Sequence, residues 1–165
     1  MKAKKIKHAI DKKLEDFLKK AKAKFQIIEH KVVYTAQDAA QTTKKKLKDI
    51  SKVVLIKADK DFLLVVVPSG KYVDLKAVKK AVQAKKVKMA TEKDITKYLK
   101  TKVSLLHPFA SLYKTKMETL LDKSLVKAKK MITSAGSYTV SIEINPKDFI
   151  KHTNPIKGSF SKSKK

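Results

Sequence analysis

Arginine, cysteine and tryptophan are all missing from this 165-residue chain, and glycine occurs only three times. Without cysteine there is no disulfide framework, no thiol nucleophile and no thiolate metal site. Without arginine, all 41 basic side chains are lysines, hydrated point charges that cannot form the planar two-bond fork of a guanidinium. Gly70, Gly136 and Gly158 are too scattered for a Walker loop or a GxGxxG dinucleotide turn. No apolar run approaches the ~20 residues needed to span a bilayer. The first residues, MKAKKIKH, are basic but lead into an amphipathic pattern rather than the apolar core of a signal segment. The expected product is soluble and cytoplasmic, with no membrane partner.

Acidic residues are scarce as well: 15 against 41 lysines leave a formal net charge of +26. Such a field draws polyanions, with RNA, DNA and an anionic membrane surface as candidates. Lysine suits attraction to a phosphate backbone better than reading of bases. The competing reading is a solvated lysine-rich surface, since lysines run from Lys2 to Lys165. A 42% hydrophobic content and this length favour one globular domain over residues 1–157, followed by a disordered basic tail, 158–165.

The apolar centre is the stretch 52–68, KVVLIKADKDFLLVVVP. Two short runs, 53–56 and 62–67, are rich in Val, Ile, Leu and Phe, and a charged link joins them. That pattern predicts an antiparallel hairpin buried mid-sheet. Before it, Ile6, Ile10, Leu14, Phe17, Leu18 and Ala21 recur at helical spacing over residues 5–23. A strand follows at 25–29, and Thr35 with Asp38 forms a capping-box pattern that opens a helix through 43. After the hairpin, Pro68-Ser69-Gly70 is a turn, and Asp74 caps a helix with Leu75, Val78 and Val82 inward. A strand at 87–89 precedes a second capping box, Thr91 with Asp94. Pro108 makes the apolar segment 103–112 a loop or an edge. Extended segments at 119–122, 129–133 and 138–144 and a helix opened by Asn145-Pro146 complete a mixed α/β class.

The order of landmarks is informative: His30; Tyr34-Thr35-Ala36; Ile50-Ser51-Lys52-Val53-Val54; Val65-Val66-Val67-Pro68; Asp74-Leu75; Val87 to Thr91; His107-Pro108-Phe109; Asp122 to Leu125; and Ser134-Ala135-Gly136-Ser137. Over about residues 1–155 this resembles the YbaK family of aminoacyl-tRNA deacylases, which includes the editing domain inserted in bacterial prolyl-tRNA synthetases. The resemblance implies an α/β (α+β mixed) domain around a partly barrel-like sheet. It implies hydrolysis of the ester joining a wrong amino acid to the tRNA terminus, acting in trans without a cofactor. The partners implied are the aminoacylated 3′ end of tRNA and an aminoacyl-tRNA synthetase.

On this resemblance Lys52 matches the lysine that the family needs for activity, engaging the tRNA end or orienting the reacting groups. By position alone it is either a plain strand-end charge or a cation aimed into a pocket. The loop from about Ser104 to Ala110, with Leu105, His107, Pro108 and Phe109 within it, corresponds to the family's glycine-and-proline loop, whose backbone amides hold the ester carbonyl. His30, Tyr34, Thr35, Ala135, Gly136, Ser137 and Tyr138 correspond to the pocket wall. Ser104 and Ala110 stand where the family carries glycine, and Tyr138 where prolyl-editing members carry histidine. The runner-up function is therefore a catalytically weakened RNA-binding protein of the same fold. His107 reads as a general base, as a ribose-binding group or as a polar loop edge. Tyr34, Tyr72 and Tyr138 are candidates for stacking on a terminal adenine, with rim packing the simpler role for Tyr72. No spaced His, Asp and Glu set implies a metal, and no serine has the partners of a hydrolase triad.

Overall fold

The computed structural model describes residues 12–29, 49–137 and 139–163, with residue 104 described by its backbone alone. In chain order the elements open with α1 (Lys12–Lys20), β1 (Phe25–Glu29), β2 (Ser51–Ala58) and β3 (Asp61–Pro68). Then come β4 (Lys71–Val73), α2 (Leu75–Val82), β5 (Val87–Met89) and α3 (Glu92–Asp94), which runs into a π-helical turn, Ile95–Leu99. Single 3-10 turns at Val103–Leu105 and Ala110–Leu112 bracket the proline loop. The chain closes with β6 (Glu118–Asp122), α4 (Lys123–Val126), β7 (Met131–Ser134), β8 (Val140–Ile144), α5 (Pro146–Thr153), β9 (Ile156–Gly158) and β10 (Ser161–Ser163).

The expected hairpin is the middle of the fold. β2 and β3 pair antiparallel from Ser51↔Pro68 to Ala58↔Asp61. The reversal needs only Asp59 and Lys60, with Asp59 at φ 54°, a left-handed conformation that aspartate tolerates. The five-stranded sheet has the order β5-β2-β3-β6-β9, with β6 parallel to both β3 and β9. Residues 63–67 of β3 are all buried, as their unbroken apolar character demands of a strand covered on both faces. A second sheet, β1-β8-β7, is antiparallel and joins the first through a parallel bridge, Ile50↔Ile132. The described strands form a mixed α/β domain with no closed barrel.

Strand alternation divides the core. Val54, Ile56 and Ala58 of β2 face α2 and Phe160, together with Val65 and Val67. Val53 and Leu55 face the other way, onto Ile95, Leu99 and Leu106. A third cluster joins Leu14 and Leu18 of α1 to Phe109, Phe149 and the inner residues of β7 and β8.

Local signals set the helix starts. Asp74 accepts from the amides of Lys76 and Ala77, both at 3.1 Å. Thr91 and Asp94 form the reciprocal capping box, at 3.0 and 3.1 Å. The Thr91 amide, foremost, holds the Asp94 carboxyl below its ordinary value. Asn145 caps α5, with Pro146 at its first position.

The expectation of a disordered tail from Gly158 is overturned. β10 pairs antiparallel with β4, and Phe160 is buried among Val54, Val73 and Ile156. Its amide donates to the buried carboxylate of Asp122 at 2.7 Å. Gly158 makes room for that ring: a Cβ there would sit 2.8 Å from Phe160 Cζ. One aromatic side chain supplies enough apolar burial to hold an otherwise polar segment, by about 1.5–3 kcal/mol. The expected helical segment 35–43 and the first residues of the expected helix 5–23 lie outside the described residues.

Candidate active site

The proline loop is held from within. Phe109 is fully buried, packed edge-on to Phe149 at 5.4 Å and tilted against Phe17 at 5.9 Å. The Thr119 hydroxyl donates to the carbonyl of Pro108 at 3.4 Å. Tyr113 closes the loop like a staple: its hydroxyl accepts from the His107 amide and donates to the His107 carbonyl, both at 2.9 Å. The two rings stack at 4.6 Å with 18° between their planes.

His107 Nδ1 accepts the Phe109 amide at 3.3 Å. An accepting nitrogen carries no proton, so the neutral ring keeps its hydrogen on Nε2.

The loop's amides are largely spent inside the protein. Leu105 N–H donates to the Lys102 carbonyl and Leu106 N–H to the Val103 carbonyl. His107 and Phe109 donate as described above, and proline has no N–H. The amides of 105, 106, 107 and 109, expected to face a substrate carbonyl, thus have partners within the protein. The short 3-10 turn and the Tyr113 staple use the donors that an extended glycine loop would leave pointing outward.

Beside the loop lies a hollow of about 370 Å³. Leu105, His107, Leu112 and Tyr113 form one wall, and Tyr98 with Leu99 forms another. Gly136 closes it from the β7–β8 turn, where its φ of 73° fits glycine. Lys12 and Lys13 at the start of α1, with Lys100 and Lys114, rim the opening. Lys12 also pairs with Asp16 at 3.3 Å. Lys100 ends the π-helical turn in a left-handed conformation, φ 56°. Tyr98 rests on Phe62 at 4.9 Å, and Lys97 Nζ lies 5.1 Å from its ring centre. The volume falls within the range of small-ligand pockets.

Three residues singled out from the sequence meet here: Leu105, His107 and Gly136. Others serve the scaffold. Phe109 and Ala135 are wholly buried in the core around α1. Ser137 Oγ accepts from the Thr139 amide at 3.0 Å, and Ser134 Oγ from that of Gly136 at 3.2 Å. His30, Tyr34, Thr35, Tyr138 and the side chain of Ser104 lie outside the described residues.

Lys52 belongs to a different neighbourhood. It shares its strand face with Val54 and Ile56, the face toward α2 and Phe160, whereas Leu106 packs on the opposite face with Val53 and Leu55. Its Nζ lies 5.9 Å from the centre of the Tyr72 ring, at the outer limit of a cation–π contact. Sequence reading missed Tyr98, Tyr113 and the lysine rim. The rim gathers residues from position 12 to position 114, with no common spacing. Tyr113, six residues beyond His107 and followed by Lys114 and Lys116, carried a local hint.

Comparison with known proteins adds the following. A family model described as the aminoacyl-tRNA editing domain matches residues 30–152. Among curated proteins, none matches the chain. Of solved structures, the hypothetical protein APE2540 superposes with a TM-score of 0.85 at 18% identity, covering 92% of this chain and 100% of that one. A protein described as a candidate trans-editing enzyme for prolyl tRNA synthetase superposes with a TM-score of 0.79 at 17% identity, covering 91% and 95%. At such identities these likenesses establish the fold.

Proposed function

The chain belongs to the aminoacyl-tRNA editing domain family, and from that premise we propose that it is a deacylase acting in trans on mischarged tRNA. The observation that carries this reading is the lysine-rimmed hollow that gathers Leu105, His107 and Gly136. An acyl ester on a ribose hydroxyl is already activated, so a bound water suffices as nucleophile once the developing oxyanion has a donor. Water attacks the acyl carbon, the bond from that carbon to the ribose oxygen breaks, and the ribose oxygen takes up a proton. His107 and Tyr113, stacked in the wall of the hollow, hold the ester in place. The hollow selects the amino acid by size, since one methylene discriminates by only about 1–3 kcal/mol. Lys12, Lys13, Lys100 and Lys114 attract the phosphates of the RNA end. Lys52, on the other face, contributes to holding RNA through its ammonium and the Tyr72 ring.

The test is a panel of mischarged tRNAs, including alanine, cysteine, serine and proline esters, run with the wild type and Leu105→Trp. The wild type is expected to free the amino acid from at least one member. The tryptophan, filling the hollow, is expected to abolish that release without lowering the melting temperature. Release undiminished in Leu105→Trp would remove the ester from this hollow.

One observation favours a second reading, an RNA-binding protein with blunted catalysis. The loop amides of Leu105, Leu106, His107 and Phe109 all donate within the protein. Tight, salt-sensitive tRNA binding with no release from any ester in the panel would select it.

A further inference from the structure

A larger hollow, about 600 Å³, opens on the α2 face of the five-stranded sheet near the tip of the β2–β3 hairpin. Leu75 and Val87 line it with apolar surface, while Lys76 and Lys79 of α2 and Lys85 and Lys86 of the following turn surround it with charge. Lys57 and Lys88, a cross-strand pair, add two more cations at its edge.

Among the described residues, the one carboxylate lining this hollow serves the backbone. Asp59 accepts the Lys85 amide at 3.1 and 3.2 Å and the Lys86 amide at 2.9 Å, and its own amide donates to the Lys86 carbonyl at 2.9 Å. These bonds fasten the lysine-bearing turn to the hairpin tip. At the turn's other end, Gln83 takes a left-handed conformation, φ 56°, and its amide and that of Ala84 return to the last carbonyls of α2. The backbone that carries Lys85 and Lys86 is thus fixed at both ends, and both side chains project from it exposed. A lysine face that served only solubility would need no such fastening.

We infer that this hollow is a second phosphate-binding surface, taking the sugar–phosphate backbone of the RNA body at a distance from the reacting end. Lysines around an apolar floor attract phosphate without reading bases, and four of them neutralise several successive phosphates. A concave hollow also fits a ridge such as an RNA strand better than the plane of an anionic bilayer. The inference rests on the tRNA reading above and extends it from the ester to the body of the substrate.

The test compares Lys76→Gln/Lys79→Gln/Lys85→Gln/Lys86→Gln with a version carrying arginine at the same four positions. Binding of uncharged tRNA is followed against salt. Loss of about four phosphate contacts should flatten the slope of log K against log salt by ~3 and weaken binding at least tenfold at physiological salt. The arginine version should bind like the wild type. Hydrolysis of a short aminoacylated oligonucleotide, which lacks an RNA body, should be equal in all three proteins. An unchanged slope in the glutamine variant, with wild-type melting, overturns the inference. So does loss of inorganic tripolyphosphate binding with tRNA affinity intact, which would make the hollow a site for a small polyanion. If no protein cleaves any ester, the deacylase reading falls, yet the binding arm still decides the role of this hollow.

Discussion

The two lysine-lined hollows differ in what stands behind the charge. In the one beside the proline loop, lysines form only the rim, and the walls hold Tyr98 of the π-helical turn with His107 and Tyr113 of the loop anchored by the buried Phe109. In the one beside α2, the walls are lysine and aliphatic carbon, and the carboxylate of Asp59 is spent on backbone amides. Charge alone gathers a polyanion; chemistry on an ester also needs a donor held at one place in a water-poor wall. The first hollow has aromatic and imidazole rings in its wall, and the second has lysine around aliphatic carbon. A mutation that disables one should leave the other's readout standing.

The largest effect that would break the pair apart is Phe109→Ala. Removing a fully buried ring that packs on Phe17 and Phe149 is expected to cost about 3–5 kcal/mol, read from urea unfolding. Hydrolysis should disappear, while the salt slope of tRNA binding, measured below the lowered melting point, should persist.

Tyr113→Phe is a sharper cut. It strips both partners from the His107 backbone and should destabilise by about 1–3 kcal/mol. Deacylation should fall, and phosphate binding beside α2 should not change. A fully active variant would show that the staple does not position His107.

Lys52→Ala tests a third neighbourhood. With its ammonium near Tyr72 and off the loop hollow, its loss is expected to raise KM and leave kcat close to wild type. A loss confined to kcat would put this lysine at the reacting ester, as the family resemblance implies.

The smallest effect concerns Asp59. The Lys85 amide first, and then that of Lys86, holds its carboxyl below the ordinary 3.8. A lowered folded value means that the stabilisation is full above the unfolded value and fades as the pH falls through the folded one. Asp59→Asn should therefore melt slightly below the wild type at neutral pH, and the gap should close in acid from about pH 5 downward. A constant gap would show that the amide bonds do not depend on charge.

Much of this was legible because it is local. A capping box needs four consecutive residues, and Thr91 to Asp94 declared theirs. The hairpin declared itself because two apolar runs separated by Lys57-Ala58-Asp59-Lys60-Asp61 leave few other ways to pair. The tail was misread because its holding power resides in one side chain, Phe160, and burial of one ring is invisible among serines and lysines. The loop's identity was readable from His107-Pro108-Phe109, but the use of its amides was not, since Tyr113 enters from outside the motif.

By itself, the sequence determined the mixed α/β class, the central hairpin, the helix starts and a cationic surface. Each follows from short-range steric and hydrogen-bonding rules or from composition. Only the tertiary structure decided which lysines act together, because Lys12, Lys100 and Lys114 share a rim through packing of α1 against distant segments. It also decided that Lys52 and the proline loop face opposite sides of one sheet. A strand shows alternate residues to alternate faces, but only the packed layers say what waits on each.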